Sequence, residues 1–270
     1  MNVHSIVNLI SLIIHTLLGI YVILKSARRS LNQVFFLMVI SIAVSNFGYF
    51  MVLVSLNHKF WLRFALSANC IMAATIVMFT SIYGRTNYRE LLRSKKFYFV
   101  ALYIVSSLLV VGLSLGLLKF EFVNEHQYYG FVFSRSGSIL MIFLLICMLI
   151  ALVNLEFTYR QAKQDKKISY PAIIFIGTLS FLVLIYSLGL GYTYIRIDVN
   201  SVSAIGFIIS TLFLTYPVVR SQYSGSRIYV DRSIIGKSYT LLLIGIYLII
   251  MGLLSKIVQL IGKNLNFFVA

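Results

Sequence analysis

The chain has 270 residues, of which 60% are hydrophobic and 11% are charged, and its mean hydropathy is +0.94. This apolar content far exceeds what the core of a soluble domain requires, so it excludes an ordinary soluble protein and predicts a polytopic membrane protein. The net charge of +16 would also suit nucleic-acid binding. The basic residues, however, lie in short connections between apolar runs, where anionic lipid is the nearest counter-charge. We therefore expect the lipid bilayer as a partner and no nucleic acid.

Eight apolar segments are long enough to be transmembrane helices, since about 20 helical residues cross the hydrocarbon layer. They predict an all-α integral membrane protein, a bundle of eight transmembrane helices that forms a single domain over residues 1–270. In chain order the predicted spans are 3–24, 34–56, 64–83, 97–118, 139–155, 171–192, 202–219 and 239–261. The connections are short, and the longest outer one, 119–135, is expected to be a loop whose aromatic residues lie at the membrane interface.

Four clusters of Lys and Arg predict the orientation of this bundle. They follow spans one, three, five and seven and contain 16 of the 23 basic residues: Lys25/Arg28/Arg29, Arg85/Arg89/Arg93/Lys95/Lys96, Arg160/Lys163/Lys166/Lys167 and Arg220/Arg227/Arg232/Lys237. By the positive-inside rule these connections face the cytoplasm, which places the amino terminus outside. Eight crossings bring the carboxyl end outside as well. The largely apolar stretch 266–270 predicts a truncation before a ninth helix.

Polar side chains inside the predicted spans are the candidate functional residues, because strongly polar groups in lipid must face the bundle interior. They are His15, Asn46, Asn69 and Asn154. Each is expected to form hydrogen bonds between helices, with sensing or ligand contact as the second interpretation. For His15 the alternatives are a neutral imidazole bonded to a backbone carbonyl or a hydroxyl, and a group that senses protons or a ligand.

Two further residue pairs have structural interpretations. Glu156 and Arg160 have the i,i+4 spacing and order that favour an ion pair on a helix. Gly112 and Gly116 form a small-xxx-small pattern, which predicts close helix packing within the bundle or across a dimer.

No catalytic constellation is visible in the sequence. Cys70 and Cys147 fall inside apolar runs, so they predict neither a disulfide framework nor a metal site. The chain contains no phosphate-binding glycine loop, and paired carboxylates are missing from the spans. We therefore expect a non-catalytic chain without a cofactor. Lys256 leaves open a chromophore-binding receptor, the least favoured hypothesis.

Three stretches carry a resemblance to a known family. Residues 79–85, Phe-Thr-Ser-Ile-Tyr-Gly-Arg, with 87–90 are similar to an aromatic-Ser-x-x-x-x-Arg helix end. Residues 153–162 contain Asn-Leu-Glu-x-x-x-Arg, and residues 230–252 combine an Arg-Ser loop with a Gly-x-Tyr-Leu helix. Taken together they resemble the membrane region of PrsK-type sensor histidine kinases of the bacterial PEP-CTERM/exosortase system. The chain departs from the family pattern at Asp231, where Ser is usual, and at Ser255 and Lys256, where Gly and an aromatic residue are usual.

The resemblance implies a function that this chain performs only with further modules. In the family another helix follows this region and leads to cytoplasmic GAF-like and histidine-kinase modules. It implies a multi-pass sensory domain in the bacterial inner membrane, a homodimeric full-length parent that is a protein histidine kinase, and a cytoplasmic response regulator as partner. The alternative is a stand-alone transporter or lipid-handling protein, in which a continuous polar cavity would join His15, Asn46 and Asn69.

Overall fold

The computed structural model describes residues 3–26, 29–85, 87–125, 128–134, 136–162, 166–191, 195–196 and 198–220. Helices account for most of this part of the chain. They are α1 (Val3–Ser26), α2 (Ser30–Val54), α3 (His58–Ile82), α4 (Tyr88–Ser94), α5 (Lys96–Ser114), α6 (Ser138–Gln161), α7 (Lys166–Gly191) and α8 (Asp198–Arg220).

Six of these helices are long and apolar enough to cross a membrane, namely α1, α2, α3, α5, α6 and α8. They correspond to predicted spans one to five and seven, so the prediction of a multi-pass helical membrane protein is confirmed at this level. The predicted span 171–192 lies in α7 up to Gly191, and the strongly apolar segment of this helix, Ile168–Leu184, is shorter than the other candidate spans. The predicted span 239–261, Lys256 and the proposed truncation near residue 270 lie outside the described residues.

Six of the helices form a closed ring. Each packs against the next in the order α1, α2, α3, α6, α7, α8, and α8 returns to α1. A contact between α2 and α8 crosses the ring, whereas α5 packs outside it against α3. Among the candidate spans α3 is the most buried, since it touches α2, α5 and α6. Large apolar side chains on the outer faces, such as Leu17 on α1 and Leu108 on α5, are exposed and suit contact with lipid.

Contacts near the helix ends place the carboxyl ends of α1, α3, α6 and α8, where the basic clusters begin, at the same end of the ring. The Phe35 ring near the start of α2 lies 5.4 Å from the Phe79 ring near the end of α3. The Tyr83 hydroxyl, just after α3, donates to the Ile168 carbonyl at the start of α7. Because α1 and α8 run parallel, with contacts from Asn8 to Ser201 and from His15 to Thr211, their carboxyl ends lie at this end too. We call it the basic end.

A small antiparallel sheet, which the sequence did not predict, lies at the opposite end of the helical bundle. β1 (Phe120–Glu125) and β2 (Tyr128–Phe133) form a hairpin in which Phe120 pairs with Phe133 and Glu125 with Tyr128. β3 (Ile195–Arg196) then pairs with β2. Within the connection 119–135, for which the sequence predicted a loop, residues 120–125 and 128–133 are therefore paired strands. Its aromatic and β-branched residues favour strands, and this propensity is consistent with the hairpin.

Candidate functional site

A line of polar side chains joins α2 to α3 inside the bundle. The Ser41 and Thr75 hydroxyls are 3.0 Å apart. One turn further along α2, the Ser45 hydroxyl donates to Asn69 Oδ1 at 2.5 Å. The Asn69 amide nitrogen donates in turn to the Tyr49 hydroxyl at 2.8 Å. Asn69 therefore uses both ends of its amide across the helix interface, which is the interhelical role expected for a buried amide in a membrane bundle.

The same region borders a cavity between four helices. Residues of α2, α3, α7 and α8 line it, and the polar members are Ser45, Asn46, Tyr49, Asn69, Tyr186, Asn200 and Ser203. The remaining lining residues, which include Met72 and Phe207, are apolar. All twelve lining residues are uncharged, so the cavity offers neutral hydrogen-bonding groups and aromatic rings. Its described lining contains no carboxylate, imidazole, amine or thiol.

Asn46 and Asn69, both singled out from the sequence, meet at this cavity. Asn46 donates to the carbonyl of Ile42 in its own helix at 2.9 Å, so this bond does not link helices. Its side chain is 5% exposed and lines the cavity. Asn69, by contrast, belongs to the α2–α3 line and to the cavity at the same time.

His15 lies elsewhere, in the contact between α1 and α8. Its Nδ1 is 2.7 Å from the Ser11 carbonyl oxygen, and its Nε2 is 3.2 Å from the Thr211 hydroxyl. A carbonyl can only accept a hydrogen bond, so in the neutral ring the proton belongs on Nδ1 and Nε2 is an acceptor. The Thr211 hydroxyl beside Nε2 also donates to the Phe207 carbonyl at 2.7 Å, so its single proton serves both acceptors. This is the geometry of a neutral imidazole bonded to a backbone carbonyl and a hydroxyl. His15 is not among the residues that line the cavity.

Two more polar contacts involve α8. Near the amino ends of the parallel pair, the Asn8 amide nitrogen donates to the Ser201 hydroxyl at 3.2 Å. On the side facing α7, the Thr178 and Ser210 hydroxyls are 2.7 Å apart. Together with the contact from His15 to Thr211, these bonds make α8 the helix on which polar contacts from α1 and α7 converge.

At the basic end, α3, α6 and α7 are joined by hydrogen bonds. The Asn154 amide nitrogen donates to the Ser81 hydroxyl at 3.0 Å, so this sequence candidate links α6 to α3. The Thr158 hydroxyl bonds to the Tyr83 carbonyl at 3.2 Å. Gly84 follows with φ of +70°, and a Cβ atom there would lie 2.6 Å from Thr158 Cγ2. Only glycine fits this turn, because both the backbone conformation and the space exclude a side chain.

The charged groups near this junction are partly removed from water. Glu156 and Arg160 form an ion pair in which the arginine Nε lies 2.8 Å from Glu156 Oε1. The second carboxylate oxygen of Glu156 is buried and has no hydrogen-bond partner among the described residues. The Arg85 guanidinium lies 4.4 Å from the centre of the Phe157 ring, a cation–π geometry. Burial lowers the pKa of this arginine.

The structure places Gly112 and Gly116 at a helix end. α5 ends at Ser114, and Gly116 follows with φ of +70°. The Leu117 amide donates to the Gly112 carbonyl at 2.9 Å and the Gly116 amide to the Leu113 carbonyl at 3.2 Å. This is the Schellman arrangement that closes many helices. A Cβ atom on Gly112 would meet the Leu118 side chain rather than another helix.

Sequence reasoning missed several polar members of the site, notably Tyr49, Tyr186, Asn200 and Thr211. The sequence did contain a signal for the polar residues of α2. The spacing of four residues places Ser41, Ser45 and Tyr49 on one face of a helix. Comparison with family models, with curated proteins and with solved structures gave no match.

Proposed function

We propose that this chain is the membrane-embedded sensory domain of a bacterial two-component sensor histidine kinase in the inner membrane. The resemblance of its helix-end and loop motifs to PrsK-type kinases supports the kinase output. In this proposal the full-length parent is a homodimer, and its kinase modules act on a cytoplasmic response regulator. The chain itself performs no catalysis.

The convergence of polar contacts on α8 carries the proposal. Ser201, Ser210 and Thr211 of α8 contact polar side chains of the neighbouring helices α1 and α7. Their partners are Asn8, Thr178 and His15, respectively. It is also the last described helix before the segment that would lead to the output modules. Hydrogen bonds of this kind in a bilayer contribute only about 1 kcal/mol each. A change of that size in their balance is enough to shift α8 between two arrangements of similar free energy.

The proposed orientation places the amino terminus outside and the basic end in the cytoplasm. The grouping of the basic connections at one end of the helical ring supports it, because anionic lipid on the cytoplasmic face attracts Lys and Arg. A kinase output needs cytoplasmic ATP, so α8 would have to transmit its movement through the further spans, 239–261 and a ninth helix, that the proposal includes.

The proposal is tested in the parent protein. We expect the reading frame beyond codon 270 to encode a ninth apolar helix followed by kinase modules. In membrane vesicles, Thr211→Val is expected to change the rate of autophosphorylation from ATP, because it removes the hydroxyl that contacts His15. Ser114→Ala is the matched control, since Ser114 is exposed and bonds only within α5. A reading frame without kinase modules would end the proposal.

The alternative, a transporter or lipid-handling protein, required a cavity that joins His15 to Asn46 and Asn69. Asn46 and Asn69 do share a cavity, but His15 faces Thr211 outside its lining. Flux of a substrate across liposomes containing the purified chain would favour this alternative over the sensory proposal.

A further inference from the structure

We infer that the cavity between α2, α3, α7 and α8 is a binding site for a small neutral hydrogen-bonding molecule, and that water is the molecule of this class that it takes. The inference concerns the cavity alone and stands apart from the proposed signalling function. It rests on the unpaired polar atoms around the cavity, on the chemistry of its lining and on its size.

A buried donor in the lining lacks a partner in the part of the chain that the structure describes. The amide nitrogen of Asn200 is buried and finds no acceptor among the described residues. Leaving such a group unsatisfied costs about 1 to 3 kcal/mol, so buried polar groups are normally paired with protein or with ordered water. Asn200 lines the cavity, which makes the cavity the place where an acceptor can reach it.

Two further unpaired polar atoms lie at the same level of the bundle. Ser187 Oγ is adjacent in sequence to Tyr186, which lines the cavity, and Asn8 Oδ1 belongs to the side chain that bonds to Ser201, the neighbour of Asn200. Neither atom has a hydrogen-bond partner within the part of the chain that is described. With the Asn200 amide, three buried polar atoms near this level of the bundle are therefore available for hydrogen bonds to water.

The lining offers a charged occupant no counter-charge. A bound cation needs carboxylates or several converging oxygens, and an anion needs basic groups or free backbone amides. The lining contains no Asp, Glu, Lys, Arg or His. An acyl chain is also unsuitable, because it would cover the Asn200 amide and the hydroxyl groups without offering them a hydrogen bond.

The size of the cavity selects water among neutral molecules. The space open to the centre of a water-sized molecule is about 20 Å³. One ordered water requires about 10 to 15 Å³ by the same measure, together with two to four polar partners. Asn200 supplies a donor, and the Asn46 amide and the Tyr49 and Tyr186 hydroxyls lie in the same lining. A water bound there would bridge α8 to its neighbours.

Radiolytic hydroxyl-radical labelling of the purified chain in detergent tests this inference, because radicals formed from a bound water oxidise the side chains beside it. Met72 lines the cavity, whereas Met148 is equally buried in α6 but lies away from it. We expect Met72 to be oxidised several-fold faster than Met148. Equal, slow oxidation of both methionines would overturn the inference.

A variant locates the water more closely. Asn200→Leu removes the unpaired donor and fills part of the cavity, so Met72 oxidation should fall to the level of Met148. Buried Met148 should stay as slow as in the unmodified chain, which shows that the variant is folded, and exposed Tyr170 on α7 should keep its labelling rate, which shows that the radical dose is the same. Unchanged Met72 oxidation in the folded variant would contradict a site built on Asn200. If the variant does not fold, the comparison of Met72 with Met148 in the unmodified chain decides alone. Neither readout depends on kinase activity.

Discussion

A Cβ atom on Gly48 would lie 2.8 Å from both the Cα and the Cβ of Ala65. Atoms this close repel strongly, and backbone cannot move aside as a flexible side chain can. α2 and α3 therefore approach each other more closely here than any residue with a side chain would permit. The contact lies one residue from Tyr49, so the close approach also sets the spacing of the α2–α3 polar line.

Gly48→Ala is expected to destabilise the bundle by about 1 to 3 kcal/mol, the usual cost of overpacking. Gly177→Ala is the matched control, because a Cβ atom on Gly177 in α7 would meet nothing within 4 Å. It should leave stability unchanged or slightly raised. Unfolding in mixed micelles of increasing SDS content measures both variants. Similar midpoints for the two would show that α2 and α3 can separate at little cost.

Asn69→Leu should destabilise the bundle by about 1 to 2 kcal/mol, because it removes the hydrogen bond from Ser45 and the one to Tyr49. The value is small because each hydrogen bond between membrane helices contributes only a modest free energy. Ser114→Ala, on the exposed face of α5, should have no measurable effect. Tyr49→Phe should cost less in the Asn69→Leu background than alone, by about 0.5 kcal/mol or more. Additive effects in this double-mutant cycle would mean that the two side chains are not coupled.

Arg160→Gln should cost more stability than Glu156→Gln. The Glu156 side chain is 8% exposed and the Arg160 side chain 36%. Removing the arginine leaves a buried carboxylate without a charge partner, which we expect to cost about 1 to 3 kcal/mol. Removing the carboxylate leaves an arginine that reaches solvent, at a cost below about 1 kcal/mol. The same unfolding titration compares the two variants, and the reverse order would argue against this account of the pair.

Lys119→Cys should react with a membrane-impermeant maleimide added to intact cells, whereas Lys95→Cys should react only after the membrane is opened. Both positions are exposed, and they lie at opposite ends of the bundle. The native thiols of Cys70 and Cys147 are buried, so they give little background. Labelling of position 95 but not 119 in intact cells would reverse the proposed orientation.

Hydropathy alone predicted the long helices well, because about 20 consecutive apolar residues have few other stable conformations. The hairpin at 120–133 was missed for a physical reason. Strands form by pairing with another segment, which a local sequence pattern does not reveal. Alternation of apolar and polar residues over six positions is also a weak signal, and the aromatic residues of this stretch suit a membrane interface equally well. The end of α5 was misread similarly, since the spacing of Gly112 and Gly116 suits both a packing face and a Schellman turn.

The candidate site was only half predictable. The free-energy cost of exposing a polar side chain to lipid identified Asn46, Asn69 and His15 as inward-facing, since such groups require hydrogen-bond partners. Which partners they find depends on the order of helices around the ring, and hydropathy carries no such information. That order separates His15 from the two asparagines, and it brings Asn200 to the cavity from 154 positions beyond Asn46.

The bond between His15 and Thr211 joins residues that are 196 positions apart. At ribosomal rates of about 5 to 20 residues per second, His15 is made about 10 to 40 s before Thr211. During that interval the imidazole can still donate to the Ser11 carbonyl of its own helix. Only Nε2 then lacks its partner until α8 is inserted. The first helix can therefore remain in the bilayer with one unsatisfied imidazole nitrogen during this interval.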